Sequence, residues 1–119
     1  DMPIIPMSEV VERGIEDCGR QIFERAWSGT DAVYLSWDTD SIDCSTMPGT
    51  SCPESFGIKG REAIAFARLA GEYGVDVIEL AELAPVFDVS GISAKLACNL
   101  LYHYLGSRAS TLRSKNQQP

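Results

Sequence analysis

Two short apolar runs constrain this chain more than anything else in it. Ala32-Val33-Tyr34-Leu35-Ser36 follows the turn residues Ser28-Gly29-Thr30-Asp31, and Val75-Asp76-Val77-Ile78-Glu79-Leu80 follows Gly74. Runs this short, bounded by turn signals, read as strands, and the near-continuous apolar character of the first suits burial on both faces of a parallel sheet. Helical patterns alternate with them. Val11, Ile15, Cys18, Ile22 and Ala26 predict a helix over residues 9–27, with Ser8 as its N-cap. Gly14 and Gly19 weaken that helix or admit a close neighbour. Ala63, Ile64, Ala67 and Leu69 predict a second helix over residues 59–73, punctuated by Gly74. Ile92, Leu96, Asn99, Leu100 and His103 predict a third over residues 90–105, capped by Asp88 and Ser90 and ended by Gly106. Met2-Pro3-Ile4-Ile5-Pro6 reads as an extended lead-in, and residues 107–119 as a frayed polar tail.

Strands alternating with helices imply an α/β fold with a mainly parallel sheet and right-handed crossovers. Two strands are too few to close such a sheet, so the chain reads as one end of a larger three-layer α/β/α structure. The opening residue is Asp1, not Met, which points the same way. The 119 residues carry 10 Lys+Arg against 17 Asp+Glu, a net charge of −7. That balance argues against a nucleic-acid or anionic-membrane surface. No stretch has the length of an apolar membrane span, and the expected location is the cytoplasm. Cys18, Cys44, Cys52 and Cys98 form no C-x-x-C pair. Cys18 and Cys98 fall in helical apolar patterns and read as small buried hydrophobes.

Residues 37–57 form a loop long enough to be functional, and it opens on Ser36-Trp37-Asp38-Thr39-Asp40-Ser41-Ile42-Asp43. Asp38 and Asp40 lie two apart at the carboxyl end of the first strand, so strand periodicity places both carboxylates on one side. Ligands of open α/β sheets bind beyond the carboxyl ends of the strands. Paired carboxylates there suit a hard divalent cation such as Mn²⁺ or Mg²⁺; capping within an acidic loop is the structural alternative.

These residues resemble the ureohydrolase superfamily of arginases, agmatinases and related guanidino-compound hydrolases. Ser36, Asp38 and Asp40, then Cys44, Pro48-Gly49 and Gly57, fall at the intervals of that family's S-x-D-x-D motif and the loop after it. Arg61-Glu62-Ala63 is similar to its agmatinase-like helix. Val75-Asp76-Val77-Ile78-Glu79 resembles its D-[VI]-V-E strand, and residues 87–102 resemble its last helix. The resemblance covers roughly residues 6–106, which reads as the C-terminal portion of such a domain. It implies a binuclear metal hydrolase in which a metal-bridging hydroxide attacks a guanidinium carbon and releases urea. It implies two divalent metals, manganese by default with nickel as an alternative, a small guanidino substrate, and a homo-oligomer, trimeric or hexameric. Asp38 and Asp40 match the family's last two metal ligands. Glu79 matches the carboxylate that pairs with the guanidinium, a bidentate and orienting contact.

The departures are equally specific. Cys44 stands where the family has Pro. The family's G-T-P becomes Ser51-Cys52-Pro53, so a Thr near the substrate is replaced by Cys52. The stretch from Glu79 to Pro85 is longer than the common pattern. The family's remaining ligands, a His and a D-x-H-x-D cluster, have no counterpart, since the sole histidine, His103, reads as a surface or helix-packing residue. No catalytic residue beyond the metal and substrate positions is identified, and the chain is expected to hold half of a metal site. Two other readings compete: a non-catalytic remnant acting as a binding or structural module, and a small redox protein using Cys44 and Cys52.

Overall fold

The computed structural model describes residues 4–117, so Asp1, Met2 and Pro3 of the expected lead-in, with Gln118 and Pro119, lie outside the described residues. Helices α1 (Met7–Arg13) and α2 (Ile15–Ala26) lead into strand β1 (Tyr34–Asp38). Helix α3 (Gly60–Tyr73) connects to strand β2 (Val77–Ala81), and helix α4 (Ile92–Asn116) follows. The two strands pair in parallel, with Tyr34 opposite Val77, Ser36 opposite Glu79 and Asp38 opposite Ala81. This is the expected α/β order.

The single N-terminal helix expected over residues 9–27 is two helices. Gly14 interrupts it at φ 89° and ψ 150°, a conformation that costs glycine little and other residues much. The N-cap is Pro6, whose carbonyl accepts from Glu9 N at 3.0 Å, while Ser8 lies inside α1. Arg13 stitches the break, donating to Glu9 before it and to Asp17 and Gln21 after it. Gly19 is a contact point: a Cβ there would stand 2.7 Å from Leu69 Cδ2 and 3.1 Å from Phe66 Cδ2.

The core lies between the helices and one face of the sheet. Phe23 of α2 stacks on Phe66 of α3 with centroids 5.1 Å apart, and Trp37 of β1 meets Phe66 edge-on at 5.1 Å. Val33, Ile42, Met47, Ala63, Ala67, Leu69, Ala70, Val75, Leu100 and Tyr104 complete the cluster, with Leu35, Ile78 and Leu80 packed against it. Tyr104 also donates its hydroxyl to Val75 O at 2.7 Å. Contrary to the expected two-sided burial, the strands alternate. Leu35 and Trp37 turn inward, while Tyr34, Ser36, Asp38, Val77 and Glu79 lie on an exposed face. Every described helix that packs on the sheet serves the other face.

Helix α4 does not end at Gly106 but continues to Asn116, so the frayed tail expected from residue 107 is helical through most of its length. A glycine inside a helix costs about 1 kcal/mol relative to alanine. Packing offsets that cost. Gly71 of α3 is seated against the Tyr104 carbonyl and Ser107 of α4, and Arg108 reaches Asp76 at 3.5 Å. Cys18 is buried as expected, but Cys98 is exposed on α4, and all four cysteines are free thiols.

Candidate functional site

The carboxyl ends of β1 and β2 lie side by side, and the long loop is folded over them. Beyond Asp38 the chain makes a short 3-10 turn, Thr39–Ser41. Asp40 sits on that turn, so it is brought beside the strand end by a helical turn and not by strand periodicity. The turn is tightly held. Ser41 Oγ donates to Asp38 O at 2.7 Å and accepts from Trp37 Nε1 at 3.1 Å. Thr39, fully buried, donates to Ala81 O at 2.8 Å and so fastens the turn to the last residue of β2.

The two carboxylates on this turn are left unengaged: among the described residues neither Asp38 nor Asp40 has a side-chain hydrogen bond or ion pair. Asp38 is exposed and Asp40 half-buried. The other aspartates of the region are engaged. Asp43 accepts from Ser45 N at 2.9 Å, from the Ser45 hydroxyl and from Phe56 N at 2.8 Å. Those donors, the Ser45 hydroxyl foremost, hold its carboxyl below the usual range. Asp88 accepts from Ser93 N at 2.8 Å and Ala94 N at 3.0 Å. It thereby caps α4, and those backbone donors lower its carboxyl pKa. Ser90, expected to share that role, instead takes a left-handed turn conformation at φ 57°.

Glu79 does not stand at the strand end. It lies inside β2 opposite Ser36, two residues before Ala81. Its Oε2 accepts from the Tyr34 hydroxyl and from Ser36 Oγ at 3.1 Å. Those two donors, Tyr34 first, lower its carboxyl pKa, and the same contact raises the Tyr34 phenol. The residue directly past β2 is Glu82. It holds a left-handed backbone at φ 61°, a conformation uncommon outside glycine and concentrated at functional sites. Ser51 Oγ donates to Glu82 Oε2 at 3.1 Å. The loop lies along it: Thr50 bridges Leu83 in antiparallel fashion, and Ala84 N donates to Gly49 O at 2.8 Å. Gly49 N in turn donates to Ser93 Oγ at 2.7 Å, and a Cβ on Gly49 would lie 2.7 Å from Asp88 Cβ. Gly57 is equally constrained, since its Cβ would stand 2.6 Å from Ser41 O.

Of the residues singled out in the sequence, the structure therefore brings Asp38 and Asp40 to one strand end. It sets Glu79 back along the sheet and leaves Cys52 exposed on the loop beside Ser51. His103 is exposed on α4. Glu82 and Ser51, candidates by this geometry, were not singled out in the sequence, and the signal for Glu82 was the overlong stretch between Glu79 and Pro85, which is three residues shorter when measured from Glu82. Two oxygen-rich carboxylates free of other partners suit a hard divalent cation. Among the described residues no group of three His, Cys, Asp or Glu side chains comes together to hold one. The donor set thus fits part of a metal site.

Comparison with known proteins agrees with the fold. The model described as the Arginase family matches residues 1–106. Mitochondrial agmatinase of Gallus gallus is 39% identical over 83 residues, 68% of this chain and 24% of that protein. The arginase of Bacillus caldovelox superposes with a TM-score of 0.84 at 27% identity, covering 88% of this chain and 36% of that one. The formiminoglutamase of Trypanosoma cruzi, solved with Mn²⁺, gives a TM-score of 0.77 at 31% identity, covering 86% of this chain and 34% of that one. The chain spans about a quarter to a third of the length of the relatives it matches. Among the described residues no helix is long and apolar enough to cross a membrane.

Proposed function

The chain belongs to the arginase family, and from that premise we propose that it supplies the carboxylate half of a metal-dependent ureohydrolase site acting on a small guanidino compound such as agmatine. The observation that carries this reading is the pair of unengaged carboxylates, Asp38 and Asp40, on a turn whose two side-chain hydroxyls, Thr39 and Ser41, are both bonded. Asp38 and Asp40 would hold the divalent cations, manganese being the metal present in one related structure. When bound, such a pair lowers the pKa of water enough to provide hydroxide at neutral pH. The remaining ligands come from outside this chain.

Glu82 replaces Glu79 in this reading as the guanidinium partner. It lies immediately beyond the Asp38–Ala81 register pair, whereas Glu79 is occupied by Tyr34 and Ser36. A carboxylate facing a planar guanidinium orients it through two parallel N–H···O bonds, which sets the central carbon toward the strand-end aspartates. The turn residues Thr39 and Ser41 keep those aspartates in place. Cys52 lines the loop beside the guanidinium partner.

The test is metal-dependent urea release from agmatine by the protein that carries this chain. Asp38→Asn and Asp40→Asn are each expected to abolish it, and Glu82→Gln to raise KM far more than Glu79→Gln. Full activity in both aspartate variants would overturn the proposal.

The non-catalytic reading has one observation in its favour, the exposed sheet face bearing Tyr34 and Val77, 59% and 49% accessible. A chain acting only as a structural module would keep its partner binding when Asp38 and Asp40 are both changed to Asn.

A further inference from the structure

We infer that Ser51 is the positioning residue that sets the Glu82 carboxylate for a guanidinium cation. This rests on the proposed function of Glu82.

Three observations converge on it. The first is the bond itself, Ser51 Oγ to Glu82 Oε2 at 3.1 Å. Among the described residues it is the only side-chain contact of Glu82, and it leaves Oε1 and one lone pair of Oε2 for a two-pronged cation. The second is backbone register. The isolated antiparallel bridge between Thr50 and Leu83 fixes the chain next to both residues, since Ser51 follows Thr50 and Glu82 precedes Leu83. The left-handed conformation of Glu82 persists only where its surroundings over-determine it, and the 49–51 loop is what surrounds it.

The third is the substitution pattern. Ser51-Cys52-Pro53 stands where the family's Gly-Thr-Pro would be. The hydroxyl is moved one residue toward the N-terminus, and a thiol, a weak donor, takes the vacated position. Cys52 is exposed, and among the described residues its thiol has no partner. The loop thus keeps a hydroxyl, now on the neighbouring residue and bonded to Glu82. Both Ser51 and Glu82 are exposed, so the bond does little for folding and its effect falls on binding.

The experiment is an amide NMR titration of this chain with agmatine, following Ser51, Glu82 and Leu83. Putrescine, the same carbon chain without the amidine carbon, serves as control. Agmatine is expected to shift these signals saturably and putrescine to leave them in place. Ser51→Ala should raise the half-saturation concentration roughly tenfold, the loss of one hydrogen bond to a charged group, with the thermal midpoint unchanged. Ser51→Thr should bind within about twofold of the parent. The double variant S51G/C52T, which restores the family's hydroxyl position, should do the same. If Ser51→Ala binds like the parent while Glu82→Gln loses binding, Glu82 keeps its assignment and Ser51 loses its own. If Ser51→Ala weakens binding and neither rescue variant restores it, the hydroxyl is not the determinant and the inference falls. If Glu82→Gln binds agmatine like the parent, the guanidinium reading fails and this inference with it.

Discussion

Asp43 and Asp88 differ from Asp38 and Asp40 in the donors that surround them and in little else. Asp43 closes the long loop on Ser45 and Phe56, and Asp88 closes the start of α4 on Ser93 and Ala94. Each holds polypeptide in shape, and each is kept ionised by the groups it holds. Asp38 and Asp40 sit on a turn whose donors are already used by Ser41, Thr39 and backbone carbonyls. The same residue type is therefore structural where donors converge on it and available for a ligand where the neighbours satisfy one another.

This contrast breaks most visibly in catalysis. In the protein carrying this chain, Asp38→Asn or Asp40→Asn should lower manganese-supported urea release by roughly 100-fold or more, exceeding what loss of a metal's outer partners costs. Without metal, the melting temperature should stay within about three degrees, since neither carboxylate holds a hydrogen bond or ion pair among the described residues. Asp88→Ala should do the reverse to the chain, lowering its thermal midpoint by roughly a few degrees through loss of the α4 cap, as read by circular dichroism. Equal destabilisation by Asp38→Asn and Asp88→Ala would erase the distinction.

Acid sharpens it further. The folded-state pKa values of Asp43 and Asp88 lie below the ordinary 3.8. Their contribution is thus fully present above that value and is lost as pH falls through the folded pKa. Urea midpoints should drop below about pH 4, and the double variant Asp43→Asn/Asp88→Asn should flatten the slope. An unchanged slope would remove both residues from that role. The smallest effect is direct metal contact. Millimolar Mn²⁺ should broaden the amide signals of Asp38, Thr39 and Asp40 before those of Asp43 and Asp88. Uniform broadening of all five would mean that the strand-end pair has no preference for the ion.

Much of this architecture was legible in the residues. The parallel strand pair follows from two apolar runs separated by a helical pattern, and Gly74 ends α3 in the left-handed conformation its position suggests. The place of the aspartates at the strand end was legible, but not the way they come together, since Asp40 lies on a 3-10 turn and not on the strand. What was illegible depended on contacts distant in sequence. The apolar pattern before β1 runs across both Gly14 and Gly19, and it does not say that the first breaks the helix while the second admits a close neighbour. Gly106 looks like a stop because its cost is local, whereas the packing that overrides it comes from Gly71 and Asp76. The open sheet face escaped notice because an apolar run does not state which neighbours are present to cover it. Glu79 and Glu82 lie three apart on one strand and its exit, and only the register with β1 decides which of them reaches the end. Ser51 became visible only once Thr50 was seen to bridge Leu83.

The seat of α4 on Gly71 also governs the order in which the chain can assemble. The strand pair joins segments that are remote along the chain, and pairing them early carries a loop-closure cost without immediate return. The α3–α4 crossing draws together β2 and the helix that covers it, and the Tyr104 hydroxyl fixes Val75 at the entry to that strand. Once this unit has condensed, β1 meets a preformed edge. Obstruction at Gly71, as in Gly71→Val, is therefore expected to slow refolding followed by stopped-flow fluorescence, while Asp38→Asn and Asp40→Asn are expected to leave that rate as it is.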